Sequence, residues 1–266
     1  MTARLRQAAG AALILVLTAV TGASAQAPAT APAPIPAPAA AMKRDCTAPE
    51  GALETTGELP VVAAFKRAGK PIKVTIVGSA STGGAGTSGP GKAYPSKLPA
   101  ALTRTLGVQV TVDAHGRRGW TSEAMADEMA GLVAADKPQV VIWQTGTVDA
   151  VKEVAPEAFG AALIKGADAL KRAGVDLLLM DMQFSPIGSR LIDFSPYLEY
   201  MNWVATGTGS PIFRRHAIMR AWYEEERFGV PGRVKAEQEG FADNVHACIA
   251  ELLARVIHTA QDAAPR

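Results

Sequence analysis

The stretch Gly78-Ser79-Ala80-Ser81-Thr82 ends an apolar run and gathers three hydroxyls in a turn that continues into Gly83-Gly84. A side-chain hydroxyl attacks an ester only when an imidazole takes its proton and a carboxylate orients that imidazole. Near the C-terminus, Asp243-Asn244-Val245-His246 supplies both partner types at Asp-x-x-His spacing. Between these two segments lie His115-Gly116-Arg117-Arg118-Gly119-Trp120-Thr121-Ser122 and Gln144-Thr145-Gly146-Thr147-Val148-Asp149, each directly after another apolar run. Gln144 and Gln183, at run ends, are candidates to line a cleft, and Trp120 has the face to stack on a sugar ring or to pack its own turn.

Such residues need a scaffold, and the pattern supplies one. Short apolar runs at Ile72 to Val77, Val108 to Val112, Val140 to Trp143, Val175 to Met180 and Pro211 to Phe213 read as strands. Between them, helical spacing marks Tyr94 to Leu106, Ser122 to Ala134, Pro156 to Arg172, Tyr197 to Thr206 and Ala217 to Arg227, with Asn244 to Thr259 as the last helix. Asp243 reads as the N-cap of that last helix, which puts His246 in its first turn. Strand-helix alternation predicts a three-layer α/β sandwich around a parallel sheet, with ligands beyond the carboxyl ends of the strands.

The first 25 residues have the form of a signal peptide: Arg4 and Arg6, an apolar core from Ala11 to Val20, then Ala23-Ser24-Ala25. Residues 26–44 form an Ala/Pro-rich linker, which favours extended polyproline II, and residues 45–266 form the domain. The expected location is periplasmic or secreted, with no membrane anchor after cleavage. In an oxidising compartment the two cysteines, Cys46 and Cys248, are expected to be bridged. Loss of Arg4 and Arg6 leaves 25 basic against 25 acidic residues, and no basic run points to nucleic acid. No spacing of cysteine or histidine suggests a metal, and no cofactor is expected.

Taken in order, the blocks after the first three strands and before the last helix resemble those of the SGNH (GDSL-type) hydrolases. The stretches SGPGKAYPSKL, KPQVVIWQTGT, FRRHAIMR and HACIAELLA look close to an exported bacterial branch of that family. The resemblance implies a flavodoxin-like sandwich with a five-stranded parallel sheet. It implies a serine nucleophile, its histidine and aspartate, and an oxyanion held by two backbone N–H groups and an asparagine amide. Carried over by position, Ala80 stands at the nucleophile, Gly119 at the oxyanion glycine and Val148 at the asparagine. Lining up the last helix puts the histidine position near Gly240 and the aspartate near Glu237; the bare motif puts them at His246 and Asp243.

Two functions follow from this. One is an exported family protein whose catalysis has degenerated while a cleft for an ester, acyl or carbohydrate ligand remains. The other is an active esterase or deacetylase on small acyl or cell-envelope polysaccharide esters, using Ser79 or Ser81 with Asp243 and His246 after a small shift of the adaptable loop.

Overall fold

The computed structural model describes residues 46–229 and 231–262, so the expected leader and linker lie outside the described residues. Strands β1 (Ile72–Gly78), β2 (Val110–Gly116), β3 (Val140–Gln144), β4 (Asp176–Met180) and β5 (Ile212–Phe213) pair in parallel, in the order β2-β1-β3-β4-β5. This is the flavodoxin-like order, whose switch point lies between β1 and β3. The second strand starts and ends later than its apolar residues suggest, because its register against β1 runs from Val110 to Gly116.

Nine helices in the described residues connect and flank the strands: α1 (Pro60–Arg67), α2 (Tyr94–Leu106), α3 (Ser122–Asp136), α4 (Thr147–Val151), α5 (Pro156–Ala173), α6 (Gly188–Leu191), α7 (Ser195–Thr208), α8 (Arg215–Glu224) and α9 (Lys235–Asp262). Alternate strand residues face opposite layers, as a pleated strand requires. Ile76, Ile142, Leu178 and Phe213 pack with α1, α2, α8 and α9. Val77, Val141, Trp143, Leu179 and Ile212 pack with α3, α5 and α7. The Trp143 ring fits against α5 only because residue 166 is glycine; a Cβ there would lie 2.3 Å from the ring.

Two caps come from distant residues, and the first closes a helix that local pattern does not announce. The Asp176 carboxylate accepts from the Val62 N–H at 2.9 Å, closing the start of α1, whose own N-cap residue Leu59 makes no side-chain cap bond. The Asp149 carboxylate accepts from the N–H and hydroxyl of Ser122 at 2.9 and 2.8 Å, so it caps α3 from α4, beside the local cap by Thr121. Cys46 and Cys248 form a disulfide with a Cα–Cα distance of 5.0 Å, tying the N-terminal segment to α9.

Candidate functional site

The carboxyl ends of β1 and β3 meet at one side chain. Gln144, the last residue of β3, is fully buried, and its Oε1 lies within hydrogen-bond reach of four donors. These are the Ser79 N–H (3.0 Å), the Ser79 hydroxyl (3.1 Å), the Ser81 hydroxyl (3.4 Å) and the Thr82 hydroxyl (3.1 Å). Gly78 makes this approach possible, since a Cβ there would sit 2.8 Å from Gln144 Oε1 and 2.2 Å from Thr82 Oγ1. The hydroxyls that a nucleophile would need are therefore turned inward onto an amide oxygen. Ala80 stands between them, half-buried, with only a methyl group.

The loop is also braced from outside. Gly83 lies so close to Gly116 that a Cβ on Gly116 would meet the Gly83 nitrogen at 2.2 Å, and the Arg117 N–H donates to the Gly78 carbonyl at 3.1 Å. Tyr94 at the start of α2 shares a 2.8 Å hydrogen bond with Thr82; burial pushes its phenol up to about 12, so it stays neutral.

The imidazole and carboxylate do not join these serines. Helix α9 begins at Lys235, so Asp243 is not an N-cap and His246 is not in a first turn. The first turns of α9 are polar and mostly exposed, which hides them from any reading of apolar periodicity. Asp243 accepts from the Ser88 N–H at 3.0 Å and the Ser88 hydroxyl at 2.6 Å. His246 Nδ1 accepts from the Tyr94 N–H at 3.1 Å. Among the described residues no hydrogen bond connects His246 with Ser79, Ser81 or Asp243. Burial, then the nearby Arg215 charge, lowers His246 to about 4, against a smaller pull from Asp243. Glu237 and Gly240, the alternative family positions, lie within α9 rather than in a loop before it.

Other expected site residues fall out differently. Gly119 has φ of +76°, the left-handed region that favours glycine, and its carbonyl accepts from Lys152. Trp120 is not a cleft residue: it is 6% exposed, packs with Met125 and Met129, and carries the Arg117 guanidinium 4.4 Å from its ring centre. Val148 sits in the first turn of α4, half-buried. His115 pairs with Asp136 at 2.7 Å.

Arg215, in the first turn of α8, is 1% exposed. It donates through Nη1 to the Ser81 hydroxyl at 3.2 Å and through Nε to the Asp181 carbonyl at 3.2 Å. The signal was present: Arg215, Ile218 and Trp222 lie at helical spacing on the buried face of α8. Starting that helix at Ala217 concealed it.

Asp181, at the end of β4, is buried, and burial pushes it up to about 7 despite the His216 N–H bond (2.7 Å) and the Arg215 charge. A carboxyl with a raised folded pKa stabilises most below its unfolded value, and that contribution is lost as pH rises through about 7. At about 1.4 kcal/mol per pH unit, the unfolding free energy of the parent relative to Asp181→Asn should fall by on the order of 4 kcal/mol between pH 4 and pH 8. Urea titrations of both proteins across that range check this; parallel pH profiles would refute it. His246 acts in the opposite sense, losing its contribution as pH falls from its ordinary value of 6.5 to about 4, and cancels in the comparison.

Residues 45–263 match the Non-GDSL lipase-like family. The chain belongs to that family. The structures it resembles are SGNH-type hydrolases and esterases. TesA is 21% identical, with a TM-score of 0.51 over 68% of this chain and 99% of TesA. AlinE4, described as an SGNH-hydrolase family esterase, is 20% identical, with a TM-score of 0.52 over 62% of this chain and 86% of AlinE4. A two-domain esterase (CEX) active on acetylated mannans is 16% identical, with a TM-score of 0.58 over 80% of this chain and 56% of that one. At these identities the likeness establishes the fold. No curated protein matches the chain significantly. The five-stranded parallel sheet flanked by helices is thus the SGNH hydrolase fold, as the sequence blocks imply. The first block reads Gly-Ser-Ala-Ser where the SGNH resemblance expects Gly-Asp-Ser.

Proposed function

We propose that this exported member of the non-GDSL lipase-like family does not hydrolyse esters through a serine nucleophile, and that its cleft serves to bind a ligand. The observation that carries this reading is the locked hydroxyl cluster. Ala80 brings a methyl group where the family resemblance expects oxygen, and the hydroxyls of Ser79, Ser81 and Thr82 converge on Gln144 Oε1. An imidazole whose Nδ1 already accepts from Tyr94 has neither a serine proton to take nor a carboxylate to orient it. Export is supported by the signal-like first 25 residues and by a disulfide, which persists in oxidising compartments. Ligands that suit the fold include acyl esters and acylated carbohydrates, such as the acetylated mannans on which the CEX esterase acts.

The test is covalent labelling of the purified domain with a fluorophosphonate probe at neutral pH, together with p-nitrophenyl acetate turnover. Neither labelling nor turnover above buffer is expected. Labelling that vanishes in Ser79→Ala or Ser81→Ala would establish the active esterase instead.

A further inference from the structure

A buried guanidinium normally sits against a carboxylate, because an unpaired charge away from water is costly. Arg215 has no such partner: among the described residues no ion pair joins it to an acidic side chain, and its Nη2 makes no hydrogen bond. The groups around it supply little negative charge. Tyr94 and His246 are held neutral, and Asp181, whose pull on Arg215 is outweighed by burial, is pushed up to about 7 and so carries only part of a charge at neutral pH.

A second donor is orphaned beside it. Gln144 Nε2 is buried without a partner, while Oε1 of the same amide receives four. The Ser79 N–H requires oxygen at that position, so turning the amide over would lose a backbone bond rather than cure the defect. Both side chains meet at the Ser81 hydroxyl, 3.4 Å from Gln144 Oε1 and 3.2 Å from Arg215 Nη1. Each orphan nitrogen is bonded to the same carbon as an atom touching that hydroxyl. The Ser81 hydroxyl has its one proton spent on Gln144 and accepts from Arg215.

We propose that the Ser81–Gln144–Arg215 cluster is an anion site for a small carboxylate, whose oxygens accept from Gln144 Nε2 and Arg215 Nη2. This deepens the reading of a retained cleft by naming its ligand as an acid instead of an ester. An ester carbonyl brings acceptor lone pairs but leaves the guanidinium charge uncompensated. A carboxylate brings two acceptor oxygens and the missing charge, in the planar form that a guanidinium matches. The ligand is small because the surrounding residues 79, 81, 82, 144 and 215 are all buried and only Ala80 reaches partway to solvent.

The experiment is calorimetric titration of the intact domain with sodium acetate, sodium chloride and methyl acetate at fixed ionic strength. Arg215→Lys and Gln144→Met are titrated alongside, and circular dichroism confirms that each is folded. Saturable acetate binding is expected, with no methyl acetate binding and at least tenfold weaker acetate binding in either folded variant. Arg215→Lys keeps the charge and loses the second donor, so it keeps the test alive if Gln144→Met does not fold. Equal affinity for chloride would overturn the carboxylate assignment, and the absence of binding by either anion would mean ordered water only. Fluorophosphonate labelling separates this from the function proposed above. Acetate binding with labelling keeps the anion site and overturns the loss of hydrolysis; no binding and no labelling does the reverse.

Discussion

Loss of the Cys46–Cys248 bond is expected to destabilise the domain by about 2–5 kcal/mol, since a cross-link over a long loop restricts the unfolded chain. The sequence separation is 202 residues, so nearly the whole domain lies inside the loop. The bond also anchors a segment that packs Ala48, Ala52 and Leu53 on the core and is otherwise held by single hydrogen bonds. Thr47 accepts from the Trp222 indole at 2.7 Å, Glu58 donates to Gly209 and Leu59 to Ala260. Cys248 is fully buried in the layer formed with α2, so its removal also thins a packed face. Urea unfolding of the oxidised protein, the reduced protein and Cys46→Ala/Cys248→Ala checks this. At about 2–4 °C per kcal/mol the melting temperature should drop clearly. Coincident transitions in all three would show that the bond contributes nothing.

Restoring the missing oxygen alone should restore nothing. Ala80→Ser is expected to stay within tenfold of the parent in p-nitrophenyl acetate turnover, roughly 10⁶ below the rate that an assembled triad supports. The reason is cooperative: a serine hydroxyl is a poor nucleophile until a base removes its proton. The candidate base, His246, has Nδ1 occupied by the Tyr94 N–H, and Asp243 is engaged with Ser88. A new hydroxyl at position 80 would also stand between two serines whose own hydroxyls are held by Gln144. A rise of 10³ or more in this single variant would mean that a base is within reach and that the degenerate reading is wrong.

The scaffold was legible because buried parallel strands write themselves as unbroken apolar runs, such as Val140 to Trp143, and helices such as Tyr94–Leu106 keep their apolar stripe. What escaped depends on contacts between residues far apart in the chain. Helix α1 is closed by Asp176, more than a hundred positions away, so nothing local marks its start. The beginning of α9 is helical without an apolar face, and an aspartate inside it resembled a cap. Gln144 and Arg215 were visible as residue types at strand and helix ends, but their meeting at Ser81 requires β1, β3 and α8 to converge, which no periodicity reports.

The Gly83–Gly116 approach constrains how this protein can be turned into a catalyst. Two main chains pressed against each other leave no slack for hydroxyls 79 or 81 to swing outward, because any displacement of one turn drags its neighbour with it. A laboratory route to hydrolysis would therefore place a hydroxyl at position 80, keep the rest of segment 78–84 untouched and recruit a proton acceptor from the α9 side. Side chains there can be exchanged without unseating the backbone on which the rest of the rim is built.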